Sequence, residues 1–345
     1  MMGEAAPEGR GSGRRAPTVF LSAGESSGDL HGAELARRLR ARVPGVRLIG
    51  LGGSRMAAEG VELLAGLDRL AVLGLAEVLR HLPGLLRLRR DVYRALEREK
   101  VDLVVPIDYP GFNLPLAGRA HRRGIPCVYY IAPQVWAWKP RRAKKLARWC
   151  EDVCVVLPFE AEFLRRHGAR ATFVGHPLLD QGTPEPADER GAIGLFPGSR
   201  RQEVERMLPV FLAAAGRLRA APADPGPRGA TGSGDGGPPI LVARAPDLDD
   251  EAYAACPAEL LAAPETVMAR SRAAITKSGT ITLQLALADV PMVVAYRVHS
   301  LTFGILRRMV TLDHVALVNL VADEAVVPEC PVSYTHLTLP TNREV

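Results

Sequence analysis

The sequence predicts an α/β protein with two Rossmann-like domains, each built on a parallel β-sheet. Short apolar runs of strand length alternate with longer amphipathic segments, which is typical of parallel strands covered by helices on both faces. The polar, Pro-rich segment 181–190 interrupts this alternation and is predicted to be a domain linker. The length of 345 residues is sufficient for two domains that each bury a core.

The first predicted domain covers residues 18–180. It follows a Gly-, Ala-, Glu- and Arg-rich segment, 1–17, which lacks the apolar stretch of a secretory signal and is expected to be a disordered extension. Its amphipathic helices include 30–42 and 85–100. Its apolar strands are predicted at 18–23, 46–50, 103–107, 127–131, 153–157 and 172–174.

The second predicted domain covers residues 191–329. Residues 221–239 are low in complexity and are expected to form a flexible surface insertion. Residues 330–345 do not continue the apolar pattern and have no matching partner segment, so we expect the domain to be truncated there and this tail to be foreign to it. The predicted strands are 192–196, 240–243 and 273–276, and the predicted helix is 202–219.

Composition and charge exclude several classes of function. The 44 basic and 38 acidic residues give a net charge of +6, a modest excess that favours anionic ligands or a membrane surface over nucleic acid. No uncharged apolar run reaches the roughly 18 residues that a membrane-spanning helix needs. Five Cys residues without metal-ligand spacing favour buried, reduced thiols in a cytosolic protein and no metal site.

A Gly- and Ser-rich turn, residues 24–32, joins the first predicted strand to a helix. Backbone N–H groups at such a helix N-terminus can bind a phosphate or a sugar hydroxyl. A plain tight turn, in which Ser27 or Asp29 caps the helix, is at least as good an interpretation of this segment taken alone. The spacing is not that of a dinucleotide-binding loop. The candidate binding residues in this turn are Gly24, Glu25, Ser26, Ser27, Gly28 and Asp29.

Asp108 directly follows a predicted strand of the first domain. Open α/β sheets bind ligands outside the carboxyl ends of their strands. A carboxylate in that position is suited to accept the proton of a substrate hydroxyl, which makes Asp108 the candidate general base. The alternative is a carboxylate that caps the next turn.

Two further features of the first domain indicate an apolar or anionic partner. Trp136 and Trp138 share one loop and are candidates to line an apolar or sugar site, although core packing is the usual fate of Trp. Segment 68–82 is apolar around most of its circumference, as in a buried or an interfacial helix. Four cations at helical spacing form either a solvated face or a surface for a phosphorylated substrate or anionic headgroups. These cations are Arg141, Lys144, Lys145 and Arg148.

Two turns in the second domain each follow a predicted strand and precede a helix. Ser199 and Arg200 lie in the first, and the Arg200 guanidinium is suited to pair with a diphosphate. The second is Lys277-Ser278-Gly279-Thr280, in which the small residues allow a phosphate to approach the helix N-terminus. Two such turns in one domain predict a nucleotide-diphosphate site, whereas the P-loop and nucleophile-elbow signatures are absent from the sequence.

Eleven segments occur in the order of one known family. They are GESSGDLHGA (24–33), GLGGSRMAAEG (50–60), LAVLGLAEVL (70–79), PIDYPGFN (106–113), APQVWAWKPRR (132–142), LPFE (157–160), VGHPLLD (174–180), LFPGSRRQEV (195–204), SGTITLQLAL (278–287), VPMVVAYR (290–297) and VNLVADEAVVPE (318–329). With these segments the sequence resembles the lipid-A-disaccharide synthases.

The resemblance implies an inverting glycosyltransferase of the GT-B type, in which two Rossmann-like domains face a central cleft and no cofactor or metal is needed. The implied donor is UDP-2,3-diacylglucosamine, and the implied acceptor is the 6-hydroxyl of 2,3-diacylglucosamine 1-phosphate. The products would be the β-1,6-linked lipid A disaccharide 1-phosphate and UDP. Because both substrates carry acyl chains, the resemblance also implies a cytoplasmic protein associated peripherally with the inner membrane, and no nucleic acid partner.

The resemblance assigns roles to particular residues. Asp108 matches the family's motif Asp, and Arg200 and the Ser278–Thr280 turn match the UDP side. Gln284 stands where the family usually has the Glu expected to hold the ribose hydroxyls. Asn319 matches an Asn of the nucleotide site, and Val318 stands where the family usually has Pro.

Two alternative functions stay open at this stage. One is another UDP-sugar enzyme of the same architecture, such as an epimerase or a transferase with a soluble acceptor. The other is an inactive, membrane-associated UDP-sugar-binding protein, because the family continues well beyond residue 329.

Overall fold

The computed structural model describes residues 15–70, 75–136, 140–220, 237–246, 248–257, 260–297 and 314–332. The chain forms two compact units that divide after Pro177, shortly before the predicted linker 181–190. Each unit contains one parallel β-sheet with helices packed on both faces, so the predicted fold class is confirmed. Among the helices described, none is long and apolar enough to cross a membrane.

The first sheet has seven parallel strands in the order β3-β2-β1-β4-β5-β6-β7. The strands are β1 (Thr18–Ala23), β2 (Arg47–Leu51), β3 (Glu62–Ala65), β4 (Leu103–Ile107), β5 (Val128–Tyr130), β6 (Asp152–Val155) and β7 (Ala171–Phe173). β1 and β4 lie side by side, with Ala23 opposite Ile107 at their carboxyl ends. From this pair the strand order runs outward in both directions, which makes the gap between β1 and β4 the topological switch point where ligands bind in such sheets.

The helices of the first unit are α1 (Ser26–Arg42), α2 (Ser54–Ala58), α3 (Leu75–Arg98), α4 (Pro110–Arg122), α5 (Ala143–Trp149) and α6 (Pro158–Arg166). Side chains of β1 alternate between the two faces of the sheet. Phe20 packs in the cluster that includes residues of α3 and α4, whereas Leu21 packs on the opposite face with residues of α1. Burial on both faces explains why the strand is apolar at consecutive positions.

Segment 68–82 does not form the separate apolar helix that the sequence predicts. Leu67–Arg69 is a turn of 3-10 helix, and the residues from Leu75 onward are the first turns of α3, which continues through Pro83. Residues 71–74 and the side chains of 71–82 lie outside the described part of the chain. The prediction that this segment has a buried or an interfacial face therefore stays a prediction.

The second sheet has six parallel strands in the order β10-β9-β8-β11-β12-β13. The strands are β8 (Ala192–Phe196), β9 (Ile240–Ala243), β10 (Leu261–Ala262), β11 (Ser271–Lys277), β12 (Met292–Arg297) and β13 (Glu329–Val332). The helices are α7 (Leu178–Gln181), α8 (Arg201–Ala220), α9 (Pro264–Arg270), α10 (Ile281–Leu287) and α11 (Leu317–Ala322). Leu195 packs with residues of α8, and Phe196 packs on the other face with residues of α9 and α10.

The break expected after Glu329 is corrected by the structure, because residues 330–332 belong to β13. Cys330 lies opposite Ala295 and Pro331 opposite Tyr296 in a parallel pairing with β12. β13 ends the strand order of the described sheet, and an edge position tolerates a Pro that has no N–H to donate. Residues 333–345, like 1–14 and most of the insertion 221–239, lie outside the described part of the chain.

The cysteines are less buried than the sequence analysis expects. Cys127 and Cys256 are buried, Cys150 and Cys154 are half-buried, and Cys330 is exposed. Burial of Cys256 and Cys127 follows from their packing in two of the apolar clusters, whereas Cys330 lies on the edge strand β13.

Candidate functional site

Two of the sequence-predicted segments meet at the switch point of the first sheet. Gly24 follows Ala23 at the end of β1, and Asp108 follows Ile107 at the end of β4. Because Ala23 and Ile107 are paired across the two strands, the Gly-rich turn and the candidate base begin side by side. This arrangement places a carboxylate next to the N-terminus of α1, as the position of both segments after parallel strands predicts.

The backbone of Asp108 is held in an unusual conformation. Asp108 and Tyr109 both have positive φ angles, 43° and 47°, in the left-handed region that L-residues rarely occupy. The Asp108 N–H is 3.2 Å from the carbonyl oxygens of Tyr130 and Ile131. Its own carbonyl accepts hydrogen bonds from the Tyr129 hydroxyl at 2.7 Å and from a side-chain amide at 2.8 Å. The side chain of Asp108 is exposed, so the fold fixes the backbone and presents the carboxylate outward.

That amide belongs to Asn113, a fully buried residue of α4 to which the sequence analysis gave no role. Its Nδ2 also donates to the carbonyls of Ser22 at 3.0 Å and Ile107 at 3.1 Å, and its Oδ1 accepts from the Ser22 hydroxyl at 2.7 Å. Asn113 therefore joins the ends of β1 and β4 and positions Asp108. A polar residue between apolar ones on a buried helix face is the sequence signal for such a role.

The turn after β1 divides into exposed and buried residues. Glu25 and Ser27 are exposed, Ser26 is half-buried at the start of α1, and Gly28 is buried. The ring of Tyr109 covers Gly24 so closely that any Cβ at this position would collide with it. Position 24 therefore requires glycine, because a larger residue would displace the aromatic ring beside the candidate base.

The Tyr109 ring is itself anchored. Its hydroxyl donates to the Leu70 carbonyl at 2.8 Å. Burial raises the pKa of this hydroxyl, and the negative charge of Glu25 raises it further, so Tyr109 stays neutral and acts as a donor.

Asp29, a predicted binding residue of this turn, holds the start of a neighbouring helix. Its side chain is only 3% exposed, and its carboxylate accepts hydrogen bonds from the N–H groups of Gly53 at 2.6 Å and of Arg55 and Met56, both at 3.1 Å. These donors lie at the N-terminus of α2, where backbone N–H groups need acceptors. Asp29 therefore caps α2 and connects it to α1.

Trp136 is held by a buried carboxyl group. Its Nε1 donates to Glu160 Oε1 at 2.8 Å, and its ring meets Phe159 edge-on at 4.9 Å between centroids. Glu160 is 2% exposed, and its other oxygen accepts from the Leu157 N–H at 3.0 Å. Burial raises the pKa of Glu160 to about 7; the hydrogen bonds oppose this rise, and the charge of Asp108 adds to it. Trp136 thus has a fixed orientation, held by a carboxyl group that lies within electrostatic range of Asp108.

The four predicted cations share an exposed surface, although only three of them belong to α5. Arg141 lies in the 3-10 turn Pro140–Arg142 that precedes the helix. All four side chains are exposed, whereas Ala143 and Leu146 of the same segment are buried. The helical spacing therefore predicts the exposed surface correctly, and Trp138 lies outside the described residues. The exposed cations are Arg141, Lys144, Lys145 and Arg148.

In the second unit, the two predicted phosphate-binding turns lie next to each other. β8 and β11 are neighbouring parallel strands with Phe196 opposite Thr276, so the turns that follow them emerge at the same edge of the sheet. Gly198 has a φ of 127°, and a Cβ there would approach Glu203 Oε2 to 2.6 Å. Glycine is required because the Glu203 carboxylate occupies that space.

Glu203 and Lys277 connect these turns. The sequence analysis places Lys277 in the second turn but gives neither residue a role of its own. Glu203 Oε2 accepts from the Ser199 N–H at 3.3 Å. Glu203 Oε1 lies 3.0 Å from Lys277 Nζ and 3.7 Å from Arg200 Nη1. The Arg200 side chain is 57% exposed, which agrees with a role in contacting a ligand.

The second turn is fixed by hydroxyl groups. Ser278 Oγ donates to the Val315 carbonyl at 2.8 Å, and Thr282 Oγ1 donates to the Gly279 carbonyl at 2.8 Å. Thr280 lies at the N-cap of α10, and Gln284 is half-buried within this helix. These contacts give the turn a defined backbone geometry.

Asn319, a predicted residue of the nucleotide site, makes its side-chain contacts within the second unit. It is fully buried, and its Nδ2 donates to Glu329 Oε1 and to the Val327 carbonyl, both at 2.9 Å. Its Oδ1 accepts from the Val327 N–H at 2.9 Å. These hydrogen bonds engage both ends of the amide and join α11 to β13.

A cavity of about 490 Å³ opens at the carboxyl ends of β9 and β10, which the sequence analysis did not identify. Arg244 lines it and pairs with Asp250 at 2.7 Å. Tyr253, Leu261 and Ala262 supply apolar surface. Among the residues that the structure describes, no group of three or more His, Cys, Asp or Glu could hold a metal ion.

The two units, each with one parallel sheet covered by helices on both faces, define a protein of the GT-B fold class. A UDP-GlcNAc 2-epimerase from Neisseria meningitidis bound to UDP-GlcNAc matches with a TM-score of 0.55 at 12% identity, covering 89% of this chain and 90% of that one. MurG from Acinetobacter baumannii matches with a TM-score of 0.50 at 17% identity, covering 91% of this chain and 86% of that one. At these identities the similarity shows the fold.

The family is shown by sequence. The model of the lipid-A-disaccharide synthetase family matches residues 19–336. Lipid-A-disaccharide synthases from Acidobacterium capsulatum and Geobacter sulfurreducens are each 39% identical, over 337 and 328 residues, covering 91% and 90% of this chain and 82% of each relative. That of Nitrosococcus oceani is 40% identical over 331 residues, covering 91% and 82%. The chain therefore belongs to the lipid-A-disaccharide synthase family, a family of glycosyltransferases, and the match to residue 336 agrees with the structured β13.

Proposed function

We propose that this protein is an inverting hexosyltransferase that forms the lipid A disaccharide. It transfers 2,3-diacylglucosamine from its UDP derivative to the 6-hydroxyl of 2,3-diacylglucosamine 1-phosphate, and it releases UDP. The observation that carries the proposal is the family match over residues 19–336. The rigid presentation of Asp108 and the paired turns of the second unit support it.

Asp108 is the proposed base. The acceptor's 6-hydroxyl oxygen attacks the anomeric carbon of the donor on the side opposite the diphosphate, so the configuration inverts. As the new carbon–oxygen bond forms, the bond to the diphosphate breaks, UDP leaves with the electron pair, and the hydroxyl proton passes to Asp108. The second carboxyl group, Glu160, is within electrostatic range, and its charge would strengthen Asp108 as a base.

The second unit is the proposed UDP side. Arg200 and the Ser199 N–H stabilise the negative charge that develops on the leaving diphosphate. The turn from Ser278 to Thr280 offers backbone N–H groups beside them. Gln284 is proposed to hydrogen-bond the ribose hydroxyls without the charge assistance that a Glu would give.

The exposed surface at α5 is the proposed contact with the inner membrane on its cytoplasmic side. Arg141, Lys144, Lys145 and Arg148 are suited to anionic headgroups. Trp136 and Trp138 are proposed to face the acyl or sugar groups of the acceptor.

The test is transfer by the purified full chain with the UDP donor and the 1-phosphate acceptor in mixed micelles. We expect a disaccharide whose mass equals that of donor plus acceptor minus that of UDP. NMR should show a β-1,6 linkage, and one UDP should be released per disaccharide. Release of UDP or epimerised donor in the absence of acceptor, with no disaccharide in its presence, would contradict the proposal and favour another UDP-sugar enzyme of this fold.

A further inference from the structure

We propose that Lys277 is a diphosphate-binding residue of the donor site and that the Glu203 carboxylate competes with the diphosphate for it. Glu203 thereby sets the affinity of the site for UDP. This inference rests on the proposed function, since it takes the nucleotide to bind at the two turns of the second unit.

The geometry places one carboxylate among three groups that suit a phosphate. Glu203 Oε1 is 3.0 Å from Lys277 Nζ and 3.7 Å from Arg200 Nη1, and Oε2 is 3.3 Å from the Ser199 nitrogen. Two cations and a backbone N–H around one anion form the same pattern that they would form around a phosphate group.

The topology explains why Lys277 reaches this position. It is the last residue of β11, which pairs with β8 in parallel register, and Glu203 is in the first turn of α8, which follows β8. Lys277 Nζ is also 3.3 Å from the Ser278 carbonyl, so the ammonium group stays close to the second phosphate-binding turn. Glu203 therefore contacts the first turn through the Ser199 N–H and is linked to the second turn through Lys277.

The electrostatics favour displacement by a ligand. The Lys277 and Glu203 side chains are 29% and 20% exposed, so their charges are screened less than those of surface pairs. A diphosphate carries more negative charge and more acceptor oxygens than one carboxylate, so it interacts more strongly with the same cations. A carboxylate left beside the bound diphosphate would repel it, which lowers UDP affinity.

Arg201, the residue next to Arg200, pairs with a different set of carboxylates. Arg201 pairs with Asp249 at 2.6 Å, Glu251 at 3.4 Å and Glu205 at 3.7 Å, in an exposed network on the surface of the unit. Glu205 belongs to this second network, so it provides a control carboxylate on the same helix as Glu203.

The test compares binding of UDP and of uridine to the full chain by calorimetry or competition. Glu203→Gln removes the charge and keeps an acceptor for the Ser199 N–H; we expect it to tighten UDP binding about fivefold to tenfold and to lower the melting temperature. Lys277→Met should weaken UDP binding about tenfold and leave uridine binding unchanged, and Lys277→Arg should restore most of the loss.

Glu205→Gln is the control, because it makes the same charge change on the same helix. It should alter UDP affinity by less than twofold. If Glu205→Gln tightens UDP binding as much as Glu203→Gln does, the tighter binding comes from the overall charge of the unit and not from the position of Glu203. That result overturns the inference.

The remaining outcomes separate the inference from the proposed function. If the wild-type chain binds UDP but Glu203→Gln weakens that binding, Glu203 is only a structural anchor and the inference fails. If Glu203→Gln does not fold, Lys277→Met decides: equal loss of UDP and uridine affinity overturns the inference. A wild-type chain that binds no UDP contradicts the proposed function itself.

Discussion

Asp108 combines backbone strain with an exposed carboxylate. Left-handed conformations at non-glycine residues cost about 1–3 kcal/mol each and persist only where the surrounding structure enforces them. Here Asn113 and Tyr129 enforce the conformation with hydrogen bonds to the Asp108 carbonyl. Such strain is common where a side chain must be presented to a ligand, which supports the assignment of Asp108 as the base.

Replacement of Asp108 should separate chemistry from nucleotide binding. Asp108→Asn keeps the shape of the side chain and removes the basic oxygen, so turnover should fall about a hundredfold or more while UDP affinity changes little. Arg200→Ala should lower both turnover and UDP affinity, because the guanidinium contacts the diphosphate before and during its departure. Steady-state transfer assays and UDP binding measure the two effects. Near-normal turnover of Asp108→Asn would remove this residue from the mechanism, and Glu25 would be the next candidate.

Glu160 should give the stability of the protein a distinct pH dependence. Its pKa is raised from 4.5 to about 7 in the fold, so the neutral form is favoured by folding. The stabilisation is fully present below pH 4.5 and is lost as pH rises through 7, because the folded state must then hold a buried charge. For a shift of this size the change is roughly 3 kcal/mol.

Glu160→Gln has no carboxyl group to ionise at this position. The difference in melting temperature, variant minus wild type, should therefore increase by several degrees between pH 5 and pH 8. Glu162→Gln, on the exposed face of the same helix, is the control and should show no such trend. A pH-independent difference between wild type and Glu160→Gln would contradict the buried ionisation.

At the scale of elements, the strands at the centre of each sheet could be predicted because both of their faces are buried. β1 and β8 are apolar at consecutive positions for that reason, and their runs are visible in the sequence. β3 and β10 were missed because they have only four and two residues and are incompletely buried, so their apolar runs are too short to indicate a strand. The predicted helix 85–100 begins too late, because α3 starts at Leu75 and contains Pro83.

The exposed surface at α5 should bind anionic membranes. Lys144→Gln combined with Lys145→Gln should weaken binding to anionic vesicles roughly tenfold to thirtyfold at low salt, because each cation near such a surface contributes about 1 kcal/mol. Added salt should reduce wild-type binding by screening. Sedimentation with vesicles measures both effects.

Arg37→Gln combined with Arg38→Gln is the matched control for this experiment. It makes the same charge change on α1, where both arginines already pair with Glu34. A loss of binding equal to that of the α5 variant, or equal wild-type binding to neutral and anionic vesicles, would make α5 an ordinary solvated face.

At the scale of the molecule, the sequence predicts which residues follow parallel strands better than it predicts what each polar side chain contacts. Asp108 and Arg200 follow parallel strands, and that position is readable from the pattern. The contacts of Asp29 and Asn319 with buried backbone groups could not be predicted, because a sequence does not show what a polar side chain faces. The Glu203–Lys277 pair was missed because its partners are far apart in sequence and meet only through the pairing of β8 with β11.

The whole chain should be protected against heat by UDP but not by NAD. The proposed site consists of two phosphate-binding turns in the second unit, and no dinucleotide fingerprint follows any strand of either unit in the sequence. UDP at 100 times its dissociation constant should add about 2.7 kcal/mol to the stability of the unit that binds it. For a unit of this size that corresponds to a rise in melting temperature of roughly 5–10 °C. Calorimetry should show the rise in the transition of the second unit, whereas a transition that belongs only to the first should not move. Equal protection by NAD and UDP would mean that the turns bind any diphosphate without regard to the nucleoside, and the assignment of a UDP-specific donor site would fail.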